Sequence, residues 1–234
     1  MEELLIKSMS ESNIELSFHE KIVLLALDDK GWFGASEHKI KFGLVAAILF
    51  ELSQKGRIRF AGDDVVVVNA KSTDDVILDR VLNLVRASEK QRSLRAWIPR
   101  IVNTKLLLRK TILKQLIKKN IIAKEEYVLM KVFSQTKFPI VNIDLKQRLR
   151  EQIYNCILSG DSLSAEEAMI LVVMNDCSMV RKNSGGSMPY DKLHKRIGEV
   201  ILFKSIEPEA LEVVRPLHIA LSRAIMASNV TIHL

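Results

Sequence analysis

The run Leu44-Val-Ala-Ala-Ile-Leu-Phe50, with Phe42 before it and Leu52 after it, constrains this chain more than any other stretch. A helix that is apolar on every face has to be enclosed on every face, so this one belongs at the centre of a core. It is far too short to span a bilayer. Gly56 is a natural helix stop, and residues 57–60 then read as a short strand. Ala61-Gly62-Asp63-Asp64 supplies turn chemistry, and the β-branched residues 65–68 answer as a second strand. A buried helix feeding a small hairpin is therefore the expected nucleus.

What encloses that helix has to come from the rest of the 234 residues, of which 48% are hydrophobic and only 6% aromatic. That balance, with Gly and Pro scarce, favours a mainly α protein: a single globular domain around a buried helical bundle, with small β-hairpins. The domain is expected over 17–230, with 1–16 as an N-terminal tail. The tail alternates acids with isolated apolar residues and has none of the basic start and apolar run of a signal peptide. Residues 18–28 carry apolar side chains at helical spacing behind a Ser17 cap. Trp32 to Ile40 reads as a loop. Asp75 and its neighbours cap a helix over 76–87. A shorter helix around Trp97 is expected to break near Pro99, and a longer one to cover 105–119. Asp144 is expected to cap a helix reaching Leu158, and Ser164 with Glu167 forms a capping box for the helix after it. Residues 181–189 have the look of a flexible connection. Two helices close the chain, over about 190–203 and 208–229.

Residues 127–133 and 138–141, separated by Ser-Gln-Thr-Lys, read as a β-hairpin. Its apolar side chains Tyr127, Leu129, Phe133 and Phe138 fall on both faces, more than a solvated ribbon hides. Burial against the domain, contact with a second subunit and contact with a bilayer are the three readings.

The net charge is +7, from 35 Lys and Arg against 28 Asp and Glu. Its distribution says more than its sum, since no acid lies between Glu89 and Glu125, a stretch holding eleven cations. A solvated face balanced elsewhere and a surface for phosphate, in lipid or nucleic acid, both fit. Within 105–119, Lys110, Lys114 and Lys118 make one polar ridge, whereas Arg109 falls on the apolar side with Leu113 and Leu116. A guanidinium there needs a carboxylate, a carbonyl or a bound anion, and an internal salt bridge leads that list.

Catalytic signatures are missing from the sequence. There is no glycine-rich phosphate loop, no nucleophile elbow, and the five histidines show no metal-ligand spacing. Cys156 and Cys177 sit among apolar residues, read as inert core thiols, and suit a reduced cytoplasm. No enzyme, cofactor or metal is expected.

Several segments taken together resemble the Golgi phosphoprotein 3 family, the phosphatidylinositol 4-phosphate-binding peripheral membrane proteins and their prokaryotic relatives. They are Lys21-Ile-Val-Leu-Leu-Ala-Leu27 with its Asp-Lys-Gly turn, Gly43-Leu44, and Glu51-Leu-Ser-Gln-Lys-Gly-Arg-Ile58. Asp75-Val-Ile-Leu-Asp79, Trp97-Ile98, Leu116-Ile-Lys-Lys-Asn-Ile-Ile122 and Lys146-Gln-Arg-Leu149 continue them in order. The resemblance implies a helical domain with a protruding apolar hairpin, no catalysis, and a shallow basic pocket for the phosphoinositide headgroup. It also implies Golgi vesicle trafficking on the cytosolic face if the source is eukaryotic. The family's pocket positions fall without gaps on Ser36, Val45, Leu106 and Arg109, so that only Arg109 keeps its residue type. Trp32 is the nearby aromatic, and Lys41 and Lys105, with Lys39, are the nearby cations. The expected anion or headgroup site is therefore Arg109, Lys105, Lys41 and Trp32. Anionic phospholipid, a membrane surface and a second copy through the hairpin are the expected partners. The competing function is a winged-helix-like nucleic-acid module using the basic 90–124 region, since the helix before Gly56 and the hairpin after it have that order, though so apolar a helix would be a core element and leave phosphate to the basic stretch.

Overall fold

The computed structural model describes residues 14–34, 37–129, 133–183 and 190–230. Helix α1 (Phe18–Ala26) begins behind Ser17, whose N–H donates to the Glu20 carboxylate at 3.0 Å. Helix α2 (Glu37–Gln54) is the enclosed rod: Ile40, Leu52 and every residue from Phe42 to Phe50 are buried. It ends before Gly56, which adopts φ +62°. Strands β1 (Ile58–Ala61) and β2 (Asp64–Val67) pair antiparallel, with Ile58 opposite Val67 and Ala61 opposite Asp64. Helix α3 (Val76–Arg86) starts on Asp75, whose carboxylate accepts from the N–H groups of Ile77 and Leu78. A third strand, β3 (Arg92–Ser93), adds to β2, and α4 (Leu94–Val102) follows directly.

Helix α5 (Leu108–Lys118) leads to the second strand pair, β4 (Glu125–Leu129) with β5 (Phe133–Lys137). Helices α6 (Ile143–Ser159), α7 (Ala165–Asp176), the short α8 (Val180–Asn183), α9 (Tyr190–Ile201) and α10 (Pro208–Val230) complete the chain. Helices α1, α3, α4, α5, α7 and α10 all touch α2, so the apolar rod is wrapped by the rest. The protein is mainly α, as its composition implied, with the core continuous from Leu16 to Ile225.

Five expectations need correction. α2 starts at Glu37, inside the segment read as a loop, and its first turn carries that acid where the helix dipole favours negative charge. Pro99 does not interrupt α4, because the buried Trp97, Ile98 and Ile101 hold the helix through the lost hydrogen bond. α5 starts at Leu108, with Leu107 in the left-handed region at φ +51°. α6 is capped by Asn142, whose side chain accepts from Leu145 N–H at 2.9 Å, and not by Asp144. The second strand of the hairpin is Phe133–Lys137, so Ser-Gln-Thr-Lys is strand, and Phe138 has already left the ribbon. Of the segment read as flexible, Arg181 to Asn183 lies in α8 and 184–189 fall outside the described residues. The helix in the winged-helix-like order is the buried α2, so it is a core element, and phosphate contacts of such a module would fall to the basic residues 90–124.

Gly43 shows how closely α2 is approached. A Cβ there would stand 2.6 Å from Cys177 Sγ and 3.0 Å from Val173 Cγ1. Burial pushes the Cys177 thiol up to about 12, and burial with a hydrogen bond to Glu167 pushes Cys156 up to about 12, so neither is a nucleophile at neutral pH. Overpacking of this kind costs roughly 1–3 kcal/mol. Gly43→Ala is expected to lower the urea midpoint accordingly. The same substitution should cost less when made on Cys177→Ala than on the native chain, as a double-mutant cycle would read.

Candidate functional site

The end of α1 fixes the floor of the site. The last carbonyls of a helix have no intrahelical donor and carry partial negative charge, and three side chains from distant elements satisfy them here. Asn183 Nδ2 donates to Leu25 O at 2.9 Å, Lys182 Nζ to Ala26 O at 2.6 Å, and Lys146 Nζ to Leu27 O at 2.8 Å. Lys182 also reaches Phe33 O at 3.0 Å, and Asp29 takes both Lys146, at 3.2 Å, and Arg150, at 2.8 Å. Asp28 closes the turn by accepting from the N–H groups of Lys30 and Trp32. The aromatic pair Trp32 and Phe33 is thereby set on a rigid base.

Against that turn stands the foot of the second hairpin. Phe138 N–H donates to Gly31 O at 2.8 Å, and Gly31, at φ +85°, is approached so closely that a Cβ would lie 2.4 Å from Phe138 C. Only glycine fits both the conformation and the contact. Phe138 is half-buried with its ring centroid 6.2 Å from that of Phe33, and the Tyr127 ring is 6.4 Å from Trp32. Tyr127 is further held by Lys137 Nζ, 4.5 Å over its ring, and by donating its hydroxyl hydrogen bond to Glu125 at 2.6 Å. The side chains of Leu129 and Phe133 lie outside the described residues.

Between the turn, α5 and the hairpin lies a cleft of about 810 Å³. Trp32, Phe33, Gly34 and Glu37 line one side, Arg109, Lys110, Leu113, Lys114 and Ile117 the next, and Lys124, Gln135, Thr136 and Phe138 the third. Four cations and one carboxylate, Glu37, thus stand in the lining. Arg109 Nη1 donates to Glu37 Oε1 at 3.0 Å, and its guanidinium lies 5.1 Å over the Phe33 ring. The pair is open to water, with Arg109 40% and Glu37 61% exposed, so it is an exchangeable contact and not a buried lock. Lys124 pairs with Glu126. Lys110 and Lys114 are exposed and meet no carboxylate among the described residues. The arrangement is suited to holding an anion by point charges and one planar guanidinium.

Of the four residues expected here, Trp32 and Arg109 stand together in the cleft. Lys105 and Lys41 do not line it: Lys105 is exposed in the connection before α5, and Lys41 lies 5.1 Å over the Phe42 ring. Lys39 donates to Ser178 instead. Of the family's pocket positions, Val45 is buried, Leu106 is half-buried and Ser36 lies outside the described residues. The four-residue expectation leaves out Glu37, Phe33, Lys110, Lys114 and Lys124, although the three lysines fall in the acid-free stretch for which a phosphate surface is one reading. The ridge of Lys110 and Lys114 was visible, but only the hairpin's position turns it into a wall.

The sequence model of the Golgi phosphoprotein 3 (GPP34) family matches residues 18–215. The chain belongs to the Golgi phosphoprotein 3 family. Vacuolar protein sorting-associated protein 74 of Schizosaccharomyces pombe is 26% identical to it over 171 residues, covering 64% of this chain and 50% of the relative. The chain therefore spans about half the length of the curated relative it matches. Among the described residues no helix is long and apolar enough to cross a membrane, and no group of three or more His, Cys, Asp or Glu could hold a metal ion.

The lysines under α1 make stability depend on pH. Burial, with repulsion from Lys146, lowers Lys182 from the ordinary 10.5 to about 8, and burial lowers Lys146 too. Below pH 8 Lys182 is protonated both folded and unfolded and contributes no slope. Between about 8 and 10.5 the unfolded chain holds a proton that the folded one has released, so stability rises with pH there. Urea midpoints taken from pH 8 to 10 should climb, and Lys182→Arg, which cannot deprotonate in that window, should flatten the climb.

Proposed function

We propose that this chain is a non-enzymatic peripheral membrane adaptor that takes the headgroup of an anionic phospholipid in the cleft beside Arg109. The observation that carries this reading is the convergence of Arg109, Lys110 and Lys114 on one cleft whose lining acid, Glu37, is solvent-exposed. Family membership supports an adaptor role of the kind named for the sorting protein it resembles. The headgroup class would be that of the phosphoinositides bound in the family. With Val45 and Leu106 uncharged and away from the cleft lining, recognition here rests more on charge than on stereochemistry. An arriving phosphate replaces Glu37 on the guanidinium and gains Lys110 and Lys114. Tyr127 and the ribbon beyond it then face the bilayer. The setting is the cytoplasmic surface of a membrane, that of the Golgi in a eukaryote.

Each lysine near an anionic surface contributes about 1 kcal/mol, or roughly fivefold in binding. Flotation with phosphatidylinositol 4-phosphate or phosphatidylserine vesicles is expected to carry the protein up, and neutral phosphatidylcholine vesicles to leave it behind. Lys110→Gln with Lys114→Gln should weaken anionic binding by about tenfold or more, with the circular-dichroism melt unchanged. Equal flotation with neutral and anionic vesicles would overturn the reading.

A further inference from the structure

The connection into α5 holds a residue that the fold does not account for. Leu107 is 62% exposed, so it contributes little to the core, and it sits at φ +51°, where side chains other than Gly and Asn are rarely found. A leucine here gains neither burial nor conformational ease. Glycine would serve the backbone better.

Its surroundings are basic. Lys105 lies two residues before it and is exposed. From α3, Arg80 Nη1 donates to the neighbouring Leu106 carbonyl at 3.4 Å and to Thr111 Oγ1 at 3.2 Å, which puts a third element's cation beside the tip. Lys110 and Lys114, the two lysines of the cleft wall, follow Leu107 in the first two turns of α5. Arg80, Lys105 and Lys110 meet no carboxylate among the described residues.

We infer that Leu107 is a membrane-contacting wedge, inserted below the headgroups of an anionic bilayer while Lys105, Arg80 and Lys110 rest on the phosphates around it. The inference rests on the reading of the neighbouring cleft as a headgroup site, and it adds an apolar anchor separate from the β4–β5 hairpin. The occupant is a lipid surface because the three neighbours named here, Arg80, Lys105 and Lys110, are all cations, which repel a second copy of themselves and complement phosphate.

Leu107→Gly separates this role from a structural one. The substitution relieves the left-handed residue, so thermal stability should hold or rise. Binding to phosphatidylglycerol vesicles should nevertheless fall by about tenfold, as expected for withdrawing part of a leucine side chain from hydrocarbon. Leu158→Ser, at a residue 57% exposed on α6, is the control and should leave vesicle binding unchanged. A Leu107→Cys protein labelled with an environment-sensitive fluorophore should brighten on phosphatidylglycerol vesicles and not on phosphatidylcholine. Unchanged vesicle affinity in Leu107→Gly, with native binding intact, would overturn the wedge and leave the cleft standing. Native protein that ignores anionic vesicles would overturn both. A loss of self-association in Leu107→Gly, read by sedimentation, would assign the tip to a second copy and so overturn the wedge.

Discussion

Enclosure of α2 is the constraint on which the rest of this structure depends. A helix with nine consecutive buried positions from Phe42 to Phe50 leaves no face for solvent. Six other helices must therefore lie around it, and each has to turn its own apolar stripe inward. α5 shows the consequence most clearly. Ile112, Leu113 and Leu116 are buried, and that fixes which way its lysines point. Lys110, Lys114 and Lys118 are exposed because the opposite face of the helix is committed to the core. The basic surface is thus a product of packing as much as of composition.

The second level of order is electrostatic and lies under α1. Lys146, Lys182 and Asn183 come from α6 and α8 to satisfy carbonyls at the end of a helix more than a hundred residues earlier. Two ammonium groups are partly dehydrated in the process, which burial opposes and the carbonyl dipoles offset. What this achieves is placement. The turn from Asp28 to Gly34 carries Trp32 and Phe33, accepts the foot of the hairpin at Gly31, and supplies one wall of the cleft. A change in those lysines would be felt at the site without any of them touching a ligand.

The parts legible in the sequence are those decided locally. The apolar run announced α2, Ser17 and the Ser164–Glu167 box marked two helix starts, and the Ala61–Asp64 turn marked the first hairpin. Arg109 stood out on the helical wheel and does meet a carboxylate, but Glu37 is 72 residues away, and no local rule joins the two. The errors have a common cause in tertiary context. Leu107 bends the chain without the Gly or Asn that would signal it, and the polar Ser134–Lys137 segment forms strand because β4 is there to pair with it. Lys110 and Lys114 read as a solvated ridge until the hairpin closes the cleft beside them.

The central claim is that one face, made by the turn after α1, α5 and the second hairpin, meets anionic material. Amide hydrogen exchange followed by mass spectrometry, with and without anionic vesicles, addresses it most directly. The account predicts slowed exchange over residues 28–34, the first two turns of α5 and the β4–β5 ribbon, with β1, β2 and α10 unaffected. Slowed exchange confined to the β1–β3 sheet or to α10, with the cleft unchanged, would contradict it.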